Sequence, residues 1–234
     1  MTLPTINVPT YELEIPSSKE KLTYRPFLVK EEKILLLAME QDNENEMLAA
    51  VRQIIANCTY DKINIENLAL FDLEYIFLRI RAKSVGEISK LQLLCEDDGE
   101  TYAEVEVNLE DVQVNFQDKH TNNITLSDDI SLIMEYPQFN IIGLKEGDSE
   151  TKYVFKLIKQ SISQIIDGET IHERVDFSDK ELDTFLESLT TEHFKDVQNF
   201  FETMPKLQHE VKFKNPKTKK QNKVTLEGLN SFFV

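Results

Sequence analysis

Residues that announce chemistry are scarce in this chain. Only two cysteines occur, Cys58 and Cys95, too few for a disulfide framework and suited to a reducing compartment. Six glycines are present, and none forms a Walker A loop, a dinucleotide fingerprint or a Gly-x-Ser-x-Gly elbow. The four histidines, His120, His172, His193 and His209, make no His-Glu-x-x-His pair. No apolar run approaches the roughly 20 residues that span a bilayer, and Met1-Thr2-Leu3-Pro4 lacks the charged-then-apolar pattern of a secretory signal. Cations are outnumbered, 26 Lys and Arg against 42 Asp and Glu, for a net charge of -16. A field of that sign repels phosphate, so nucleic acid and anionic membrane are not expected as general partners. Carboxylates are abundant, yet nothing in the sequence selects two of them as a general acid and base. These absences predict no cofactor, no metal, no small-molecule substrate and no enzyme of a familiar class.

What is present is a chain of 234 residues, 41% hydrophobic, enough to exclude wholesale disorder and to fill one large domain or two small ones. Its patterning alternates short hairpins with helices. Extended runs at Tyr11–Ile15 and Leu22–Phe27 flank Pro16-Ser17-Ser18, which predicts an N-terminal hairpin. Lys30–Glu40 predicts a helix, and its continuous apolar stretch Ile34–Met39 suggests burial on most sides. Leu48, Val51, Ile55 and Cys58 make a stripe at helical spacing, and a third helix is expected near Asp72–Ser84, with Gly86 at its exit. Lys90–Cys95 and Thr101–Leu109 form an alternating hairpin with Asp98-Gly99 in its turn. A fourth helix is expected over Lys152–Ile166, a helix opened by a Ser178/Glu181 capping box after it, a further one from Thr190 to Pro205, and a final hairpin at Gln208–Lys214 and Lys223–Leu226. The fold class expected is α+β, helix pairs packed on small antiparallel hairpins. A polar stretch at Asp118–Asn123 suggests a boundary between 1–117 and 118–234.

The last hairpin carries Lys212, Lys214, Lys217, Lys219, Lys220 and Lys223. Such a cluster suits an acidic partner or nucleic acid, or equally a solvated turn that keeps an edge strand from aggregating. Phe213 alone gives little stacking surface for nucleic acid. The strand Val107–Val112 is echoed by Val224–Leu229, each following a tight polar connection.

Three segments carry a family resemblance: Tyr24-Arg25-Pro26-Phe27-Leu28-Val29-Lys30-Glu31-Glu32-Lys33, Phe71-Asp72-Leu73-Glu74-Tyr75-Ile76-Phe77-Leu78 running on to Glu87, and Leu226-Glu227-Gly228-Leu229-Asn230-Ser231-Phe232-Phe233. Together they resemble the T4-type phage baseplate hub family. The resemblance implies a structural or assembly component of the central hub of a contractile tail, found in the virion tail baseplate and, during assembly, in the host cytoplasm. Its partners would be other baseplate or hub proteins. It also implies where partner contacts are to be sought: Arg25, Phe27, Arg79, Arg81, Lys83, Leu229, Phe232 and Phe233. Arg25-Pro26-Phe27 and Arg79–Lys83 could equally determine the fold, and the C-terminal segment could tuck into its own core. Relatives resemble a zinc ribbon, with Cys-x-x-Cys-Gly in both later hairpins. This chain departs from that pattern, with Cys95-Glu96-Asp97-Asp98-Gly99 in one and Asn215-Pro216-Lys217-Thr218-Lys219 in the other. One thiol and one carboxylate cannot make a four-thiolate site, so a degenerate, metal-free ribbon is expected. The alternatives are an assembly chaperone absent from the virion, or a ribbon-derived nucleic-acid-binding module.

Overall fold

A computed structural model of the chain describes residues 6–41, 44–138 and 149–232; Met1–Pro4 and Phe233 lie outside them. The chain begins β1 (Tyr11–Glu14), β2 (Lys21–Tyr24), α1 (Val29–Glu40), α2 (Glu44–Cys58) and α3 (Leu70–Val85). It continues through β3 (Ile88–Leu94), β4 (Tyr102–Asn108), β5 (Gln113–Asn115), β6 (Asn123–Thr125) and β7 (Ile130–Met134). Then come α4 (Glu150–Ser161), β8 (Ile162–Asp167), β9 (Thr170–Glu173), α5 (Asp179–Ser188), α6 (Thr191–Thr203), β10 (Lys206–Lys214) and β11 (Gln221–Glu227). This is mixed α+β with small antiparallel sheets. The chain divides into two compact units, one made of Met1–Asn115 with Lys206–Val234 and the other of Phe116–Pro205. The C-terminal hairpin, expected with residues 118–234, therefore belongs to the first unit. The reason is strand pairing: β10 takes β5 as a partner, with Lys206 opposite Asn115.

In the first unit α3 is buried along most of its length, through Phe71, Leu73, Ile76, Phe77, Leu78 and Ile80. One core joins its Leu78 and Ala82 to inward residues of two stacked hairpins, Leu91, Ala103 and Val107 from β3–β4 and Leu207, Val211, Phe213 and Leu226 from β10–β11. Alternation accounts for this: odd positions of β10 face the core while Lys212 and Lys214 face water.

Three hairpins of this unit close with one turn. Lys19 N–H donates to Ile15 O (2.9 Å), Gly99 N–H to Cys95 O (2.9 Å) and Lys219 N–H to Asn215 O (3.0 Å). Each fifth residue is left-handed, with φ of 61° at Lys19, 67° at Gly99 and 64° at Lys219. The second and third turns meet. Asp97 accepts hydrogen bonds from the side-chain amides of Asn215 and Asn222, both at 2.8 Å, and from the Thr218 hydroxyl. Its own N–H donates to Asn222 Oδ1 at 3.1 Å. The Thr218 hydroxyl and the Asn215 amide hold the Asp97 carboxyl below the usual carboxylate range. Asp98, held lower still, accepts from the Thr101 hydroxyl and N–H. The positions that thiolates would occupy in a ribbon thus hold Cys95, Asp98, Asn215 and Thr218; Asp98 accepts from the Thr101 N–H, Asn215 and Thr218 donate to Asp97, and the Thr218 N–H donates to Asn215 Oδ1. That donor set does not fit zinc, and among the described residues no group of three or more His, Cys, Asp or Glu could hold a metal ion.

The second unit is a four-stranded sheet in the order β6-β7-β8-β9. Its core joins Leu132, Met134 and Ile162 of the sheet to Ile158, Leu182, Leu186, Val197 and Phe200 of α4, α5 and α6. The helix expected over Lys152–Ile166 ends at Ser161, and the next six residues are β8. Ile162, Ile165 and Ile166 favour an extended backbone, and Gly168, at φ 58°, turns the chain into β9. The Ser178/Glu181 box caps α5 as its sequence requires: Ser178 N–H donates to Glu181 Oε2 at 2.7 Å and Glu181 N–H to Ser178 Oγ at 3.3 Å.

Candidate protein-docking groove

Helix α1 departs from expectation in a way that makes a site. Its apolar run wraps around the helix, but only one side packs, and its buried residues are Glu31 and Ala38. Leu36 and Met39 are each 54% exposed, Leu37 48% and Val29 80%. Consecutive apolar residues on a helix with one packed side must leave some in water. Contiguous apolar exposure of this kind marks interaction surfaces.

Beside this face lies a groove of about 540 Å³. Leu35, Leu36 and Met39 of α1 form one wall with Met47 and Val51 of α2. Phe77, Arg81 and Val85 of α3, Ile88 of β3, Phe27 and Leu229 complete it. Phe27 is seated by its N–H, which donates to Ser84 Oγ at 2.8 Å, and by the Phe77 ring 6.2 Å away. The rim is polar, with Glu32 and Lys90, and Arg81 contributes a half-buried guanidinium whose pKa burial pulls below its ordinary value. An arginine stays charged regardless, so the groove pairs a deformable apolar bed, two methionines included, with a guanidinium that keeps its charge. That suits an amphipathic helix or loop of another protein.

Two polar clusters, one buried and one half-buried, position the walls. Glu31, fully buried, accepts from Arg25 Nη2 at 3.0 Å and from the Leu28 N–H at 2.9 Å, satisfying a free donor at the start of α1. Burial alone would raise the Glu31 carboxyl, but its hydrogen bonds from Arg25 and Leu28 carry it below the ordinary value. Arg25 also donates to Pro26 O at 2.9 Å, and its own N–H donates to Cys58 O at 3.0 Å. Burial pushes the Cys58 thiol up to about 12, so it is an inert core group. The second cluster holds the C-terminal segment. Leu229 N–H donates to Glu74 Oε1 at 3.2 Å. Gly228, at φ 70°, leaves so little room that an added Cβ would stand 3.3 Å from that oxygen. Burial pushes the Glu74 carboxyl up to about 7, opposed by the Leu229 N–H and reinforced by nearby Glu227.

Of the eight residues singled out by sequence, Phe27, Arg81 and Leu229 line the groove. Arg25, Arg79 and Phe232 are buried. Arg79 spends its guanidinium on Leu109 O (2.8 Å), Val112 O (2.7 Å) and Glu110 (3.1 Å), and Ser89 Oγ donates to Phe232 O at 2.9 Å. These contacts are internal to the fold. Lys83 pairs with Glu87 at 2.6 Å and Glu110 at 3.0 Å. Phe233 lies outside the described residues. Sequence reasoning missed Leu35, Leu36, Met39, Met47 and Val85. The available signal was the unbroken run Ile34–Met39, too long for one packed face.

No helix among the described residues is long and apolar enough to cross a membrane. No curated protein and no solved structure matches the chain. Residues 8–234 match the family described as T4 bacteriophage base plate protein. That match takes in both hairpins, the groove and the whole second unit, and the chain belongs to the T4 bacteriophage base plate protein family.

Proposed function

We propose that this protein is a non-enzymatic structural or assembly component of the central hub of a contractile tail baseplate, acting through protein–protein contacts. Family membership supports a baseplate role. The apolar groove between α1 and α3 carries the reading that its product is an interface. In this proposal Phe27, Arg81 and Leu229 contact the partner, while Arg25 and Glu31 hold α1 in position. The paired hairpins serve as a metal-free counterpart of a zinc ribbon.

Quantitative mass spectrometry of purified virions beside infected-cell lysate tests the proposal. A fixed ratio to hub proteins in virions is the result expected of a structural subunit. Abundance in lysate with co-purifying hub intermediates, and absence from virions, identifies an assembly chaperone in the host cytoplasm. Leu36→Ser with Met39→Ser should abolish co-purification in either case. Association with no tail protein in either fraction would refute the reading.

A further inference from the structure

The charge of this chain is segregated. Between Lys206 and Lys223 stand seven lysines and one carboxylate, Glu210, a local net of +6; the remainder therefore carries -22. Lys212 and Lys223 sit directly opposite across β10–β11, an arrangement that repels. Among the described residues Glu210 alone pairs with both, 3.0 Å from Lys212 and 2.6 Å from Lys223. The side chains of Lys214 and Lys220 have no ion pair or hydrogen bond among the described residues, and both are exposed. Protecting an edge strand accounts for Lys223 on β11 and for Lys212 and Lys214, which lie beyond the Lys206–Gln208 stretch of β10 that β5 covers, but not for Lys217, Lys219 and Lys220 on the turn. The surplus is a presented cationic surface. Phe213, which nucleic acid would need for stacking, faces the core and is 8% exposed.

The second unit presents the opposite surface. From Asp167 to Glu187 it has eight carboxylates against Arg174 and Lys180, a net of -6, and Arg174 is already paired with Asp179 at 2.6 Å. Within this stretch β9 is an edge strand, and Ile171 and Val175 are 56% and 91% exposed. Acidic charge around exposed apolar side chains is the complement of a lysine-rich hairpin.

We propose that the lysine-rich β10–β11 hairpin docks on the acidic β9–α5 surface of a second copy of this chain. The two patches differ, so the contact is heterologous, and copies joined this way close into a ring or extend as a chain. The long-range repulsion of like-charged copies is screened within about 8 Å at physiological salt, which leaves the local patches to decide. None of these residues lines the groove, so the contact stands or falls separately from groove docking.

Sedimentation velocity of the intact chain over a concentration series tests it. Association is expected at about 0.05 M salt and should weaken at least about tenfold at about 0.5 M. Lys214→Glu with Lys220→Glu should leave a folded monomer, as should Glu169→Lys with Glu187→Lys. Mixing the two variants restores oppositely charged patches and should restore association. A wild-type chain that stays monomeric at low salt overturns the proposal. So does association that survives either double variant in a chain with an unchanged melting curve. A monomeric wild-type chain that shifts a duplex DNA probe, with the shift lost in the lysine variant, assigns the hairpin to nucleic acid instead.

Discussion

Replacing Glu74 by glutamine should stabilise the protein, and only where the carboxyl would be ionised. Glu74, on α3, faces the C-terminal segment, and burial raises its pKa from 4.5 to about 7. Between those values the native state holds a proton that the unfolded chain releases. Native stability therefore falls as pH rises through that window and levels off above it. One pKa unit corresponds to about 1.4 kcal/mol, which sets a ceiling of about 3 kcal/mol. Glu74 retains partial exposure, and relaxation around the charge brings the expected effect to about 1–2 kcal/mol. Glutamine keeps the oxygen that accepts the Leu229 N–H and removes the titration. Urea unfolding of both proteins at about pH 5 and about pH 8 reads the difference, because every other titrating group is common to the pair. The variant should gain most at the higher pH and little at the lower. Equal stability at about pH 8, or a gain of the same size at both, would refute the assignment of a strained, buried carboxylate.

Glu31→Ala should destabilise by about 3–5 kcal/mol, read by thermal melting, since it leaves Arg25 buried without its partner. Because the Glu31 pKa is depressed, its contribution is complete above the ordinary glutamate value and fades as pH falls through the lowered one. Asn215→Ala, at a fully buried amide that donates to Asp97, should cost about 1–3 kcal/mol in urea unfolding. A chelator should leave the melting curve unchanged and elemental analysis should find no stoichiometric zinc, because the turns are held by side-chain amides and hydroxyls. Replacing residues 116–205 by a two-residue turn should leave the first unit folded with its own cooperative melt, because Asn115 and Lys206 are paired neighbours in a sheet.

Local structure was the most legible part of this sequence. Strict alternation in Thr101–Leu109 and the Ser178/Glu181 box each state their geometry within a few residues, and both elements formed as read. Ile162 and Ile165 misled because their spacing of four and three after Ile158 of α4 fits a helix, while the β-branched run and Gly168 after it select a strand. The apolar run of α1 was visible, but periodicity cannot say which side lacks a cover, so an exposed wall read as core. Arg25 and Arg79 stood out as cationic residues, but their roles rest on partners 6 and 33 residues away, Glu31 and the Val112 carbonyl. Glu74 looked like an ordinary acidic residue at a helix start, because Leu229, 155 positions later, supplies its environment.

The pairing of Asn115 with Lys206 also sets a timetable. Ribosomes add about 5–20 residues per second, so β10 emerges roughly ten seconds after the strand it joins. During that interval Leu78, Ala82, Leu91 and Val107 lack the cover that Leu207, Val211 and Phe213 later give them. The second unit, whose residues are continuous in the chain, can fold while the first waits. The groove waits longest, because Leu229 lies beyond β11. A nascent chain halted before that point presents an unfinished surface, so the groove is complete only once Leu229 has emerged.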